Sequence, residues 1–258
     1  MDMGIKGLRV LVTAGANGIG REVARAFVEE GARVHVCDVD AEAIAALART
    51  DPAISASLCD VTDRKAVAGL FETALEKLGG LDVLVNNAGT AGPTGRVDEI
   101  NPEDWDRCLD VCITSQFNCV RLAVPHLKNS ANASIINLSS VAGRLGFALR
   151  TPYAAAKWAV IGFTKSLSIE LGEYGIRVNA ILPGLVEGDR IRRVFEAKAQ
   201  ARGVAAREIQ EQAVGYTAQK TMVTPRQLAD QIVFCASPRG RTISVQALSI
   251  CGDTLMLS

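Results

Sequence analysis

The stretch that decides the fold is Leu8-Arg-Val-Leu-Val-Thr13-Ala-Gly-Ala-Asn-Gly-Ile-Gly20, in which an apolar run passes directly into a glycine-rich turn. An amphipathic stretch over residues 18–30 follows the turn. A strand, a glycine turn and a helix in this order are typical of a dinucleotide site, because free amides at the helix N-terminus can hold a pyrophosphate. Glycine lets the backbone come close to that group. The stretch therefore predicts the first strand and helix of a nucleotide-binding sheet.

Short apolar runs alternate with amphipathic stretches along the remaining chain, which is the pattern of a parallel sheet built from strand–helix–strand units. We predict strands at 8–13, 33–38, 54–60, 82–86, 134–139, 176–182 and 246–250. We predict helices near 18–30, 41–49, 63–78, 102–128, 152–173 and 225–236. The expected fold is α/β: a Rossmann-like, doubly wound, seven-stranded parallel sheet with helices on both faces, in a single domain over residues 1–258.

One segment, at about 187–222, interrupts this alternation. It is helical in composition and lies between the sixth strand and the last helix. Because it follows the carboxyl end of a strand, where ligands bind in such sheets, we predict that it forms a substrate lid. An ordinary pair of surface helices is the alternative.

Charge and composition exclude several partners. Lys plus Arg number 28 and Asp plus Glu number 28, so no net field would attract nucleic acid or an anionic membrane. No apolar run reaches the roughly 18 residues of a membrane span, and residues 1–6 lack an apolar signal core, so we expect a cytoplasmic protein. The seven cysteines form no C-x-x-C pair and there are two histidines, which predicts reduced core cysteines and no metal site.

An aspartate at the end of the second strand predicts the choice of cofactor. Asp38 lies 18 residues after Gly20, where a carboxylate can accept hydrogen bonds from both ribose hydroxyls of NAD and would repel a 2′-phosphate. Neither Asn17 nor Val39 is basic, so nothing nearby would pair with that phosphate. We therefore predict NAD over NADP, with a plain strand-end or helix-capping aspartate as the alternative.

Two further strand ends carry polar or small residues. Asp60 and Val61 follow the third strand, and Asn86-Asn-Ala-Gly89 follows the fourth. The first pair is expected to border the adenine, and the second motif its ribose, since ligands bind at the carboxyl ends of parallel strands. Taken separately, each motif is equally well explained as a cap or turn.

The residue types needed for proton transfer occur later in the chain. Tyr153 and Lys157 are four residues apart in a predicted helix and so share one face. A tyrosine with a pKa near 10 is a poor base at neutral pH, so a neighbouring cation is required to favour its phenolate. Ser140 comes just after the fifth strand, where its hydroxyl can bond the substrate oxygen, while Ser139 is expected to point the other way.

Together these motifs resemble the short-chain dehydrogenase/reductase family over nearly the whole chain. The resemblance depends on the glycine turn at 13–20, Asp60, Asn86-Asn-Ala-Gly89, Ser140, Tyr153-x-x-x-Lys157, Asn179 and Pro183-Gly184. It implies an oxidoreductase that transfers a hydride between NAD(H) and a secondary alcohol or ketone of sugar, polyol, hydroxy-acid or 3-hydroxyacyl type. It also implies a homotetramer or homodimer formed through the long helices.

The resemblance assigns roles to individual residues. The catalytic ones are Ser140, Tyr153 and Lys157, and Lys157 also contacts the nicotinamide ribose. The loop after the sixth strand covers the nicotinamide, with the backbone near Val186 bonding its carboxamide. The implied cofactor-binding residues are Gly15, Asn17, Gly18, Ile19, Gly20, Asp38, Asp60, Val61, Asn87, Ala88, Gly89, Tyr153, Lys157, Pro183, Gly184 and Val186.

The chain departs from the family pattern at three positions. Ala14 stands where the first glycine of the turn is usual, and Gly188 where a threonine often touches the carboxamide. Cys112 occupies the place of an asparagine thought to order a water beside the lysine. A thiol is a weak hydrogen-bonding group, and Asn118 lies about 240° further round the helix. We therefore expect a modified or slower proton relay.

The substrate pocket and the overall role leave alternatives open. Three apolar residues, Leu145, Phe147 and Trp158, are candidates for its wall. Three lid arginines are typical of a solvated helix face, with contact to an acidic substrate as the alternative: Arg190, Arg192 and Arg193. Besides the NAD-dependent enzyme, two functions remain possible: a catalytically impaired NAD-binding regulatory protein and an NADP-dependent carbonyl reductase.

Overall fold

The computed structural model describes residues 2–255 and is built on a seven-stranded sheet in which every paired strand is parallel to its neighbour. The order across the sheet is β3-β2-β1-β4-β5-β6-β7. The strands are β1 Arg9–Thr13, β2 Arg33–Asp38, β3 Ile54–Leu58, β4 Val83–Asn86, β5 Ser134–Leu138, β6 Arg177–Pro183 and β7 Ala247–Ile250. The predicted fold class and sheet are therefore confirmed, with strand ends that differ by one or two residues.

Nine α-helices lie among the described residues, and most have identifiable end signals. They are α1 Gly18–Glu29, α2 Ala41–Thr50, α3 Arg64–Leu78, α4 Pro102–Leu109, α5 Ser115–Leu127, α6 Thr151–Leu171, α7 Asp189–Arg202, α8 Ala206–Gly215 and α9 Pro225–Ala236. The side chain of Asp63 accepts the first amides of α3, and Gly79 ends that helix in a left-handed conformation. Thr224 and Gln227 form a reciprocal cap at the start of α9.

Helices cover both faces of the sheet, and successive side chains along a strand point to opposite faces, so each inner strand contributes to two apolar clusters. Val10 and Val12 belong to the apolar cluster formed with α1, α2 and α9. Leu11 belongs to the opposite cluster, formed with α3, α5 and α6. Burial on both sides explains why the strands read as nearly continuous apolar runs.

The strand order reverses between β1 and β4, since the chain passes from β3 at one edge back to the centre. In an open parallel sheet, such a reversal leaves a crevice beyond the carboxyl ends of the two central strands. The glycine turn after β1 and the asparagine motif after β4 both lie at this crevice.

The helical stretch predicted near 102–128 is present over 102–127, but a π-helical turn at Asp110–Thr114, which was not predicted, divides it into α4 and α5. Within the turn the Ser115 amide reaches back five residues to the carbonyl of Asp110. The Ser115 hydroxyl and the Gln116 amide also bind the carbonyls of Val111 and Cys112. Side chains thus replace some of the backbone hydrogen bonds of a regular helix. Such π-helical turns are frequent at functional sites.

The segment 187–222 is tied to the rest of the chain at both ends. A parallel bridge joins Val186 to Val223, with hydrogen bonds of 2.9 Å from Glu187 and 2.7 Å from Val223. Between these points α7 and α8 pack on each other through a small cluster of their own, centred on Phe195, Ala199 and Ile209. We call these two helices and their flanking loops, residues 187–222, the lid segment.

Neither a membrane-spanning helix nor a cluster of metal-binding side chains is found among the residues that the structure describes. Within 2–255, no helix is both long and apolar enough to cross a membrane. The same part of the chain contains no group of three or more His, Cys, Asp or Glu side chains that could hold a metal ion.

Candidate active site

A cavity of about 700 Å³ lies at the carboxyl ends of the central strands, between the sheet and the lid segment. Twelve of the residues predicted from the sequence line it: Asn17, Gly18, Ile19, Asp38, Asn87, Gly89, Ser140, Tyr153, Lys157, Pro183, Gly184 and Val186. The fold thus brings residues from four strand ends and two helices to one space.

The glycine turn is shaped for close approach of a ligand. Gly18 has φ +52° and no atom within 4 Å of the position its Cβ would take. No side chain caps the first turn of α1, so its amides are available to an anion. Nearby, the Thr13 hydroxyl accepts hydrogen bonds from the Asn87 and Ala88 amides, which joins the turn to the end of β4. These features fit a dinucleotide pyrophosphate.

The departure at Ala14 has a local consequence, because this alanine adopts φ +50°. Such a left-handed conformation costs an L-residue about 1–2 kcal/mol. The alanine could not stand at position 15 instead, with glycine at 14, since a Cβ on Gly15 would lie 2.6 Å from the Val36 side chain. The turn therefore keeps its shape at the expense of some backbone strain.

Five predicted cofactor residues do not line the cavity: Gly15, Gly20, Asp60, Val61 and Ala88. Contacts outside the cavity are clear for two of them, Gly20 and Asp60. A Cβ on Gly20 would lie 2.2 Å from the Ala14 carbonyl oxygen, so this glycine permits contact between the turn and α1. Asp60 accepts hydrogen bonds from Thr62 and pairs loosely with Arg107. Their contact with a cofactor stays a prediction.

The carboxylate of Asp38 is fixed by the backbone at the outer end of the cavity. It accepts hydrogen bonds from the amides of Ala16 at 3.1 Å, Val39 at 2.8 Å and Asp40 at 3.2 Å. Asp40 lines the same end, and its side chain also caps α2. Sequence reasoning overlooked this second carboxylate, which increases the negative charge where an adenosine ribose would lie.

Ser140 is held with its hydroxyl proton free. Its oxygen accepts a hydrogen bond of 3.2 Å from the Ala142 amide, which leaves the O–H available to donate into the cavity. Ser139 donates to the Lys157 carbonyl at 2.7 Å, so its side chain points toward α6, as strand alternation predicts. A Cβ on Gly143 would lie 2.6 Å from that same carbonyl, and this glycine allows the close contact.

Tyr153 and Lys157 lie on one face of α6 and both line the cavity. The Lys157 Nζ is 5.7 Å from the centre of the Tyr153 ring and donates to the Leu138 carbonyl at 2.8 Å. Lys157 is 3% exposed, and no carboxylate pairs with it among the described residues. Its charge is therefore directed at the tyrosine and at the cavity.

Cys112 is buried on the π-helical turn, and its Sγ is 3.6 Å from the Thr90 carbonyl oxygen. A hydrogen bond from Cys108 lowers the pKa of the Cys112 thiol, and the charge of Lys157 acts in the same direction while burial opposes both. Gln116, which sequence reasoning missed, donates to the carbonyls of Cys112 and Leu138, each at 3.3 Å. The carbonyl that binds Lys157 is thus also held by Gln116.

Some of the predicted pocket residues line the cavity and others do not. Leu145 and Phe147 line the cavity, but Trp158 does not; it is 52% exposed on the outer side of α6, so that expectation is wrong. Arg190 and Arg193 line the cavity, whereas Arg192 forms an ion pair with Asp189.

Three further cations line the cavity and were not identified from the sequence: Arg150, Lys198 and Arg202. Arg150, just before α6, is buried, and its Nη2 donates to the Ala91 carbonyl. Lys198, on α7, is half-buried. The available signal was the spacing of Arg150, three residues before Tyr153 and hence near its face of the helix.

Comparison with known proteins identifies the family. A family model described as short chain dehydrogenase matches residues 9–199. An L-fucose dehydrogenase of Bos taurus is 39% identical over 186 residues, 71% of this chain and 68% of the relative. A 3-oxoacyl-(acyl-carrier-protein) reductase of Thermotoga maritima is 34% identical over 258 residues, 98% of this chain and 100% of the relative. The solved structure of an NAD+-bound xylitol dehydrogenase has a TM-score of 0.91 at 26% identity, covering 96% of this chain and 99% of that one. The resemblance inferred from the motifs is confirmed, and the chain belongs to the short-chain dehydrogenase/reductase family of oxidoreductases.

Proposed function

We propose that this chain is an NAD-dependent dehydrogenase or reductase that interconverts a secondary alcohol and a ketone. One observation carries the proposal: a single cavity has Ser140, Tyr153 and Lys157 at its inner end and the glycine turn with Asp38 at its outer end. The names of relatives, an L-fucose dehydrogenase and a 3-oxoacyl-(acyl-carrier-protein) reductase, support a substrate of sugar, polyol, hydroxy-acid or 3-hydroxyacyl type.

The proton chemistry follows from three side chains. Tyr153 takes a proton from the substrate hydroxyl during oxidation and returns it to the carbonyl oxygen during reduction. Lys157 stabilises the phenolate through its positive charge, and Ser140 donates a hydrogen bond to the substrate oxygen as charge develops there. The nicotinamide cofactor, when bound, supplies the hydride chemistry.

The cofactor would lie along the length of the cavity. The free amides of the α1 N-terminus suit the pyrophosphate, and Asp38 suits the hydroxyls of the adenosine ribose. Lys157, Gly184 and Val186 line the inner end, where the nicotinamide and its ribose would reach them. The two carboxylates at the outer end support NAD over NADP.

The lid segment is proposed to close over the substrate, since Phe195 on α7, Ile209 on α8 and Tyr216 just after α8 line the cavity. Homotetramer or homodimer formation through α5 and α6 is proposed as well. Exposed apolar side chains on these helices support it: Phe117 is 44% exposed and Ile169 81%. A cytoplasmic location stays a prediction.

The proposal is tested by following NADH oxidation with a panel of ketones and aldehydes that covers the four substrate types. Wild-type protein is expected to reduce members of the panel, and Lys157→Met to lose this turnover. Lys165→Met is the matched control, because Lys165 is exposed on the same helix. Retention of full turnover by Lys157→Met would contradict the mechanism.

The catalytically impaired regulatory protein is the second candidate, and the cysteine at position 112 is the observation that favours it. It predicts NADH binding without turnover of any panel member, unrestored by Cys112→Asn. The hydrogen bonds from Gln116 to the Cys112 and Leu138 carbonyls favour the enzyme instead, because they hold the carbonyl that positions Lys157.

A further inference from the structure

Several cations besides Lys157 line the cavity without a carboxylate partner in the part of the chain that the structure describes, and two of them, Arg150 and Lys198, are buried or half-buried, whereas Arg190 and Arg193 are exposed. Arg150 is 6% exposed, and its Nε has no hydrogen-bond partner among residues 2–255. Lys198 takes part in no hydrogen bond or ion pair with any described residue. A buried charge that lacks a partner is costly, so such groups are usually found where a ligand completes them.

Each of the two cations lies over an aromatic ring of the cavity lining. The Arg150 Cζ is 4.9 Å from the centre of the Tyr153 ring. The Lys198 Nζ is 5.9 Å from the centre of the Phe147 ring, which lines the same space. Burial lowers the pKa of Lys198, and the positive charges of Arg150 and Arg202 lower it further.

The acidic side chains of the cavity are engaged or distant. Asp38 and Asp40 lie at the outer end, beside the start of α2. Asp189 is paired with Arg192, and Glu187 is exposed on the loop before α7. The charge of Arg150 and Lys198 is therefore left for an anion that enters from outside the chain.

We propose that Arg150 and Lys198 bind the carboxylate of a small substrate, so that the enzyme interconverts a hydroxy acid and its oxo acid. A planar guanidinium matches a carboxylate with two parallel hydrogen bonds, and a nearby ammonium adds a point charge. A neutral sugar or polyol would leave both cations unpaired. This inference depends on the proposed function, since it names the substrate class of the same site.

Arg150 has a competing role that the test must separate. Its guanidinium lies over the Tyr153 ring, where it could act on the tyrosine alone. In that case Arg150→Gln would slow the turnover of charged and neutral substrates equally. Lys198 belongs to the lid segment and does not contact the tyrosine ring, so Lys198→Met separates the two roles.

The experiment compares 2-oxo and 3-oxo acids with their methyl esters, which share a carbon skeleton and differ in charge. With NADH, the wild type is expected to prefer the acid by at least tenfold in kcat/KM. In Arg150→Gln and in Lys198→Met this preference is expected to fall to within about threefold, mainly through a higher KM for the acid. Arg207→Gln, which removes an exposed charge from the other lid helix at a residue that does not line the cavity, is expected to keep the full preference.

Equal turnover of acids and esters by the wild type would overturn the inference and leave the proposed function intact. An unchanged acid preference in Lys198→Met would overturn it as well. If no member of any pair is reduced, the proposed function fails on this panel, and calorimetry on the NADH-loaded protein decides the inference. At least tenfold tighter binding of acetoacetate than of methyl acetoacetate, lost in Lys198→Met, would support it; equal binding would overturn it.

Discussion

The choice between NAD and NADP can be tested at Asp38 without knowledge of the substrate. Asp38→Asn removes the charge and keeps the oxygen that accepts the Val39 and Asp40 amides, while the hydrogen bond from the Ala16 amide to the other oxygen is lost. A 2′-phosphate about 6 Å from a carboxylate would be repelled by about 3 kcal/mol per charge at an effective dielectric constant of about 20. Because Asp38 is half-buried, solvent and salt reduce this to about 2 kcal/mol, which is roughly a 30-fold gain in NADPH affinity.

The same substitution weakens the binding of NADH. The ribose hydroxyls lose a charged acceptor, worth about 1 kcal/mol or roughly fivefold in affinity. The ratio of NADPH to NADH affinity is therefore expected to rise by about a hundredfold. It is measured by titrating the protein into each reduced cofactor and following the fluorescence of the cofactor. Asp63→Asn is the control, because Asp63 caps α3 and does not line the cavity. A wild-type preference for NADPH, or an unchanged ratio in Asp38→Asn, would refute the reasoning.

Three other predictions follow from single residues. Burial lowers the pKa of His35 to about 4 from an ordinary value near 6.5. Between these pH values the imidazole is protonated in the unfolded chain and neutral in the folded chain, which lowers the free energy of unfolding as the pH falls. Unfolding in urea should show a free energy about 2 kcal/mol smaller at pH 5.0 than at pH 7.5, and His35→Gln should lose most of this difference; the same difference in the variant would contradict it. Gly20→Ala should lower thermal stability more than Gly18→Ala, because its Cβ would meet the Ala14 carbonyl oxygen at 2.2 Å, whereas at Gly18 only the left-handed φ of +52° costs about 1–2 kcal/mol; the reverse order would count against the described turn. Ser140→Ala should reduce kcat by about 10²–10³-fold with NADH affinity unchanged, as steady-state kinetics would measure, and an equal loss of cofactor affinity would show that the serine acts through the fold.

The sheet could be predicted from the sequence because its inner strands are buried on both faces. Val10, Leu11 and Val12 alternate between two cores, so the whole run is apolar and easily recognised. The motif residues at the strand ends then meet at one crevice through topology alone. This is why twelve of the predicted site residues line the cavity.

What the sequence did not predict depends on contacts between distant segments. The π-helical turn at Asp110–Thr114 involves the Gln116 side chain, which also reaches the end of β5. Arg150 comes just before α6, where Leu149 adopts φ +65°, and residues of the lid segment line the same cavity as Arg150. Periodicity carries no information on such contacts, since residues far apart in the chain form them.

The central claim is that the phenol of Tyr153 moves the proton while neighbouring groups bind the cofactor. The most direct measurement compares wild type with Tyr153→Phe, both for turnover of the best substrate of the panel and for the NADH dissociation constant. Loss of the hydroxyl should abolish turnover and leave NADH affinity within about threefold, because the phenyl ring still fills its place on α6. A fully active Tyr153→Phe enzyme would contradict the account.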